Sequence, residues 1–250
     1  MASVPTGKVP RPIRLLTLNA HQGFSALRRH NALLRIREAL RASGADLVFL
    51  QEIGVAHGSQ ATSSQYELLA EQAWPQHAYG RNAVVTSGHH GNALLSKHPI
   101  VEWKNHDASV GRAERRGFLH CLLDVPGAKV PLHAVCVHLA LFESHRRQQV
   151  VRLLELIAAS VPRDAPLVVA GDFNDWRQHA HRALVKTGSL QEIHAASIGR
   201  PRRTFPAWRP LLRLDRIYVR NLEHRPLSLP SRPWARVSDH VPLAGEVWQA

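Results

Sequence analysis

The chain has 250 residues, 44% of them hydrophobic, which is long enough to bury a sizeable core, and no Gly/Ser/Pro-rich linker divides it. Its first twelve residues carry Lys8 and Arg11 but no apolar run, and no window approaches the length of a membrane span; this argues against a secretory leader and a transmembrane protein. The expectation is a flexible N-terminal extension over residues 1–11 and one cytoplasmic, monomeric domain over 12–250. The formal net charge of +13 comes from 32 Lys plus Arg against 19 acids, and only five of the 32 are Lys. Such a field attracts polyanions and Arg offers a planar fork for phosphate, although a genome rich in G and C also replaces Lys with Arg.

Ile13 to Asn19 reads as a strand ending at a polar residue, followed by a loop at His21-Gln22-Gly23. From Ser25 to Ala42, Leu27, Leu33, Leu34, Ile36 and Leu40 recur among arginines, predicting an amphipathic helix with Ser25 as its cap and Gly44 as its stop. Asp46 to Leu50 is a second strand that delivers Gln51 and Glu52. The segment from Pro131 repeats this plan: a strand Leu132 to Val137 ending at His138, a helix Glu143 to Ser160, and a strand Leu167 to Ala170 ending at Gly171 and Asp172. Asn19 to Glu52 spans 33 residues and His138 to Asp172 spans 34. Two βαβ units of matched length predict a pseudo-two-fold, with polar strand ends converging on one rim.

Between the repeats, Ala83 to Thr86 and Asn92 to Leu95 read as short strands around a loop Ser87-Gly88-His89-His90-Gly91. Arg112 to Gly117 reads as a basic loop. Phe118 to Val125 forms the first arm of a hairpin that would bring Cys121 and Cys136 onto one face as buried thiols rather than a bridge. The last third is irregular and basic around Arg200 to Arg209. It then supplies Asp215 inside an apolar strand and Ser238-Asp239-His240 before a final strand.

Asp172, Asn174 and Asp175 at the exit of a buried strand fit either a turn or a site. The whole set of strand-end residues, Asn19, Glu52, His138, Asp172, Asn174, Asp215, Asp239 and His240, contains no nucleophile elbow, Gly-rich phosphate loop or Cys pair. Carboxylates with an amide oxygen suit Mg²⁺ or Mn²⁺, and mixed with His and Asn they fit metal-assisted hydrolysis of a phosphate ester.

Asn19, Gln51-Glu52, His138-Leu139, Gly171-Asp172-Phe173-Asn174, Leu214-Asp215-Arg216-Ile217 and Ser238-Asp239-His240, in this order, resemble the endonuclease/exonuclease/phosphatase family, which includes deoxyribonuclease I. The resemblance is greatest to a bacterial branch with similar segments at Tyr79 to Asn82 and Gly88 to Asn92. It implies a four-layer α/β/β/α sandwich, two central β-sheets flanked by helices. It also implies roles: Glu52 on the metal with Asn19 and Asp239 close to it, and His240 paired to Asp215. Asp172 would act on the attacking water, with Asn174 and His138 on the phosphate oxygens. Arg81, Asn92 and Arg116 are further candidates for phosphate contacts. The Glu that supports the first His in some family deoxyribonucleases is not placed here, and Asp175-Trp176-Arg177 departs from the abasic-site endonucleases.

The implied activity is divalent-metal-dependent hydrolysis of phosphodiester bonds, foremost as a nuclease on nucleic acid. A phospholipid headgroup or small phosphorylated molecule is the alternative substrate, and an inactive polyanion-binding module the alternative of another class.

Overall fold

Both repeats form as βαβ units in the computed structural model, which describes residues 11–20, 26–56, 64–85, 88–111, 114–230, 234 and 237–249. The first is β1 (Ile13–Asn19), α1 (Ala26–Ser43) and β2 (Leu47–Ala56); the second is β7 (Leu132–His138), α3 (Glu143–Ser160) and β8 (Leu167–Asp172). In each the two strands pair in parallel, with Asn19 opposite Gln51 and His138 opposite Asp172. A parallel pair needs a crossover, and the helix supplies it while covering one face of the sheet.

Antiparallel strands extend each pair to six. β3 (Gln76–Val85), β4 (Gly88–Ser96), β11 (Glu223–Leu227) and β12 (Leu243–Trp248) give the order β11-β12-β1-β2-β4-β3. β5 (Ile100–Asp107), β6 (Gly117–Leu123), β9 (Gln191–Glu192) and β10 (Asp215–Arg220) give β5-β6-β7-β8-β10-β9. Read along either order, the pairings run antiparallel, antiparallel, parallel, antiparallel, antiparallel. The pseudo-two-fold therefore relates whole sheets.

Three apolar layers hold the sandwich. Leu15, Phe49 and Leu94 meet Leu119, Cys136, Val168 and Ile217 between the sheets. Leu18, Val48 and Leu95 pack beneath α1 and α2 (Gln65–Ala70), together with Ile36, Leu40 and Trp74. Val135, Val169 and Tyr218 pack beneath α3 and α4 (His179–Gly188), with Leu153, Ile157 and Leu184. A short α5 (Ile193–Ile198) completes the elements. Period-2 alternation divides each central strand between two of these layers. Cys121 lies opposite Ala134 and Cys136 opposite Leu119, so both thiols share a face, and both are buried and free.

The fold corrects the sequence reading around the two histidines. His89, His90 and Gly91 lie within β4 rather than a loop, because β4 keeps pairing with β2 beyond Ile53, His90 opposite Gly54 and His89 opposite Val55. Tyr79 Oη lies 3.0 Å from His89 Nδ1 and ties the extension to β3. Residues 1–10, the loop His21-Gln22-Gly23, the cap Ser25, Thr86, Ser87 and Arg112 lie outside the described residues. No helix among the described residues is long and apolar enough to cross a membrane.

Candidate active site

Along the faces that meet between the sheets, apolar positions give way to polar ones at one end. Leu15 leads to Thr17 and Asn19, Phe49 to Gln51, and Leu94 to Asn92 in the first sheet. Cys136 leads to His138, Ala170 to Asp172, and Ile217 to Asp215 in the second. Parallel strands leave at this rim and the antiparallel β10 enters at it, with Asp215 directly opposite Asp172. The site is thus a continuation of the inter-sheet core in which the last inward position of each central strand is polar.

Glu52 breaks the alternation. Gln51 faces inward and donates to Thr17 Oγ1 and Cys136 Sγ, both at 3.3 Å, so a regular strand would send Glu52 toward the helix layer. Instead the β2–β4 register shifts between Leu50 and Ile53 and Glu52 adopts φ 59°. A left-handed non-glycine residue costs on the order of 1 kcal/mol and marks functional sites; here it turns the carboxylate back to the rim. Asn174, at φ 48°, is a second such residue. Gly171 answers a different constraint: at φ 148° a Cβ would lie 1.9 Å from the Val137 carbonyl oxygen, so only glycine lets β8 hold β7 this closely before Asp172.

Asp172, 1% exposed, is the centre of the arrangement. Asn19 Nδ2 donates to Asp172 Oδ2 at 3.0 Å and to Glu52 Oε1 at 3.3 Å, bridging the sheets. His138 Nε2 stands 3.7 Å from Asp172 Oδ2 and 3.8 Å from Glu52 Oε1, and His240 Nε2 stands 3.9 Å from Asp172 Oδ2. The Asn174 backbone N–H donates to Asp172 Oδ1 at 2.8 Å, while its side-chain amide donates to the Leu139 carbonyl at 2.9 Å. Asp215 Oδ2 lies 2.9 Å from His240 Nδ1. Ser238, given no role from sequence, donates its hydroxyl to the Asn19 carbonyl at 2.6 Å and accepts from the His240 N–H at 3.0 Å, fastening the last loop to β1. Asp239 is exposed at the same rim.

The two imidazoles are held in opposite states. Burial disfavours charge on both. At His240 the adjacent, hydrogen-bonded Asp215 carboxylate overrides burial and, with Asp172 and Asp239, raises the pKa to about 10. At His138 burial and the Arg116 guanidinium outweigh Asp172 and Glu52 and lower it to about 4. Burial and neighbouring charge thus push the two imidazoles beside one carboxylate in opposite directions.

Asp172, Asp215 and His240 offer ligand atoms within 4.8 Å of one another, so this buried cluster has the proximity to hold a metal. Within that cluster His240 Nδ1 is engaged by Asp215 Oδ2 at 2.9 Å. Glu52, Asp172, Asp239 and the Asn19 amide oxygen are hard donors of the kind Mg²⁺ and Mn²⁺ take.

The weaker candidates separate. Arg81 is exposed on β3, opposite Gly91. Asn92 is fully buried and donates to the Gly117 and Cys136 carbonyls at 2.9 and 3.3 Å, linking the sheets. Arg116 stands 3.7 Å from Glu114 and acts on His138 through its charge. Two neighbours without a motif signal also shape the site: the Phe205 ring lies 5.0 Å from that of His240, and the buried Arg146 holds the loop after His138 through the Ala140 and Leu141 carbonyls. An aromatic in an irregular loop and an arginine on a helix among many gave no reason to choose them.

Residues 16–240 match the model of the Endonuclease/Exonuclease/phosphatase family. The uncharacterized protein YbhP of Escherichia coli K12 is 46% identical over 242 residues, 94% of this chain and 95% of that protein. An endonuclease/exonuclease/phosphatase structure from Beutenbergia cavernae has a TM-score of 0.74 at 20% identity, covering 96% of this chain and 72% of that one. The human Nocturnin catalytic domain, solved with a bound sulfate anion, has a TM-score of 0.72 at 21% identity over 94% of each chain. These structures share the two-sheet sandwich, and the match of the family model across the strand-end residues is decisive: the chain belongs to the endonuclease/exonuclease/phosphatase family.

Proposed function

We propose that the protein is a divalent-metal-dependent phosphoesterase that hydrolyses phosphodiester bonds in nucleic acid. The observation that carries this reading is the Asp172 carboxylate standing within 4 Å of a neutral His138 and a protonated His240 while bonded to Asn19. Glu52, Asn19 and Asp239 would hold the ion, with Asp172 beside them. When bound, such an ion neutralises phosphate charge and makes water a better nucleophile.

The remaining work falls to the chain's own groups. Asp172 orients the attacking water and takes its proton as the new P–O bond forms, while the P–O bond to the leaving oxygen breaks and that oxygen takes a proton from solvent. His240, kept charged by Asp215, directs Nε2–H at a phosphoryl oxygen as negative charge develops. One N–H of the Asn174 side chain is committed to the Leu139 carbonyl, leaving the second for another phosphoryl oxygen, and the neutral His138 donates a further hydrogen bond. The net charge of +13 favours a polyanionic substrate over a small neutral one.

The test is hydrolysis of single- and double-stranded DNA, RNA, phospholipids and inositol phosphates, with Mg²⁺ or with chelator. Cleavage of nucleic acid that chelator abolishes, and that Asp172→Ala and His240→Ala each reduce by about 10²- to 10⁴-fold, is expected. Hydrolysis confined to lipid or inositol phosphate would overturn the nucleic-acid assignment, and no turnover on any substrate would overturn the enzymatic one.

A further inference from the structure

Two positions past Asn174 the chain carries Trp176, which remains 42% exposed at the rim. Its backbone is held from both sides. The buried Asp175 carboxylate accepts the His179 and His181 N–H groups at 2.9 Å each, and its carbonyl accepts from the buried Arg216 at 3.2 Å. The indole is held as well. The guanidinium of Arg146, a residue 2% exposed, lies 4.8 Å from the ring centroid while Nη1 donates to the Ala140 and Leu141 carbonyls at 2.9 and 2.8 Å. A planar cation stacked beneath an aromatic ring favours a flat, fixed orientation. On the loop after His138, Phe142 is 62% exposed, and Arg177 beside Trp176 has its side chain 64% exposed.

We propose that Trp176 is a stacking platform for an unpaired base beside the scissile phosphate, so that the substrate is single-stranded nucleic acid or a frayed end; this rests on the phosphodiesterase reading above. Two residues of chain span at most about 7 Å, so the Trp176 backbone lies close to that of Asn174, the residue proposed above to contact the phosphate. Every base offers a π-face, and the +13 charge favours a polyanionic backbone. Within a duplex each base is covered on both faces by its neighbours and only the terminal pair keeps one face open, so away from a blunt end only an unpaired or extruded base can lie on the ring. A ring pinned flat by a buried guanidinium is also poorly suited to insert into a bilayer.

The test measures binding and turnover at one salt concentration for a single-stranded oligodeoxynucleotide, an abasic oligomer of the same length and a blunt duplex. Binding is measured on the His240→Gln protein so that cleavage does not interfere, and turnover on the active protein, each with Trp176, Trp176→Ala and Trp176→Phe. Stacking is worth roughly 1–3 kcal/mol per base, so Trp176→Ala is expected to weaken single-strand binding about 5- to 150-fold. Trp176→Phe restores most of it, abasic binding does not change, and turnover shows a raised KM with kcat nearly constant. Equal weakening for base-bearing and abasic oligomers, or no effect on either, would overturn the inference. Hydrolysis of the oligonucleotide with no base-dependent effect of Trp176 would sink the platform and leave the phosphodiesterase reading; base-dependent binding without hydrolysis would do the reverse.

Discussion

Replacing Asp215 by Asn isolates the charge state of His240. The substitution keeps an oxygen to accept from Nδ1–H at the present 2.9 Å, so the ring stays in place while its main electrostatic support disappears. With Asp215 present the His240 pKa is about 10, and the imidazole is charged throughout the neutral range. Without it, burial pulls the pKa down against only Asp172 and Asp239, so the ring loses its proton at a lower pH than in the wild type. Hydrolysis at pH 7.5 should therefore fall, by about tenfold for each pH unit by which the variant's pKa lies below 7.5, and the basic limb of the pH profile should move down from near 10. Stability follows the same sign. A raised pKa contributes stability that is fully present below about 6.5 and is lost as pH rises through about 10, so wild type and variant should differ more in melting temperature at pH 6 than at pH 10. Steady-state rates from pH 5 to 10.5 with parallel thermal melts decide the matter. A variant that keeps its alkaline activity would show that the charge of His240 does not drive the reaction.

Glu52→Gln keeps the size of the side chain but removes a hard anionic donor, and Mn²⁺ affinity by titration calorimetry should weaken by about 10- to 100-fold with the fold intact by circular dichroism. On the far side of the second sheet, His120 Nε2 lies 2.9 Å from His133 Nδ1; burial and His133 lower the His120 pKa to about 4. A depressed imidazole pKa favours the neutral folded form. Stability should thus be complete above about pH 6.5 and decline toward pH 4 by on the order of 1–2 kcal/mol after allowance for partial exposure. His120→Leu should flatten that acid limb in urea titrations at pH 4.5 and 7, and an unchanged limb would assign it elsewhere.

The sandwich, and the convergence of most candidate site residues on one rim, are legible because they rest on local signals. Strands buried on both faces read as apolar runs, their ends show as abrupt polar residues, and a helix of matching length between two of them forces parallel pairing. The edge strand β5 was not anticipated, since Glu102, Trp103 and Lys104 are all exposed and leave no apolar face to read. The strand character of His89 and His90 depends on β2 continuing past its irregularity, a tertiary fact. Glu52 was found through its motif, but alternation alone would have turned it away from the site, and only the left-handed backbone shows why it points inward. Arg146 and Trp176 are joined by a contact between the first turn of α3 and the loop after β8, for which no local pattern exists.

The pseudo-two-fold carries one more consequence, in the residues that it equates. The inward rim positions of the first sheet are the amides Asn19, Gln51 and Asn92, whereas those of the second are ionisable, His138, Asp172 and Asp215. Six ionisable groups in so dry a space would repel one another, and an amide supplies donor and acceptor without charge. Asn19 shows the benefit, because its single nitrogen serves both Asp172 at 3.0 Å and Glu52 at 3.3 Å, holding together two carboxylates from opposite sheets. Asn19→Asp would replace that donor with a third carboxylate at nearly the same volume. The metal-free protein should lose about 2–4 kcal/mol, as expected for a buried charge without a partner, and Mg²⁺ should recover much of the loss because the added oxygen would stand beside the carboxylates proposed to hold the ion. Chemical denaturation with and without Mg²⁺ reads this as a gain in metal-dependent stabilisation over wild type. If Asn19→Asp is as stable as wild type in chelator, the amide is not what reconciles the two carboxylates, and the division of labour between the sheets has another cause.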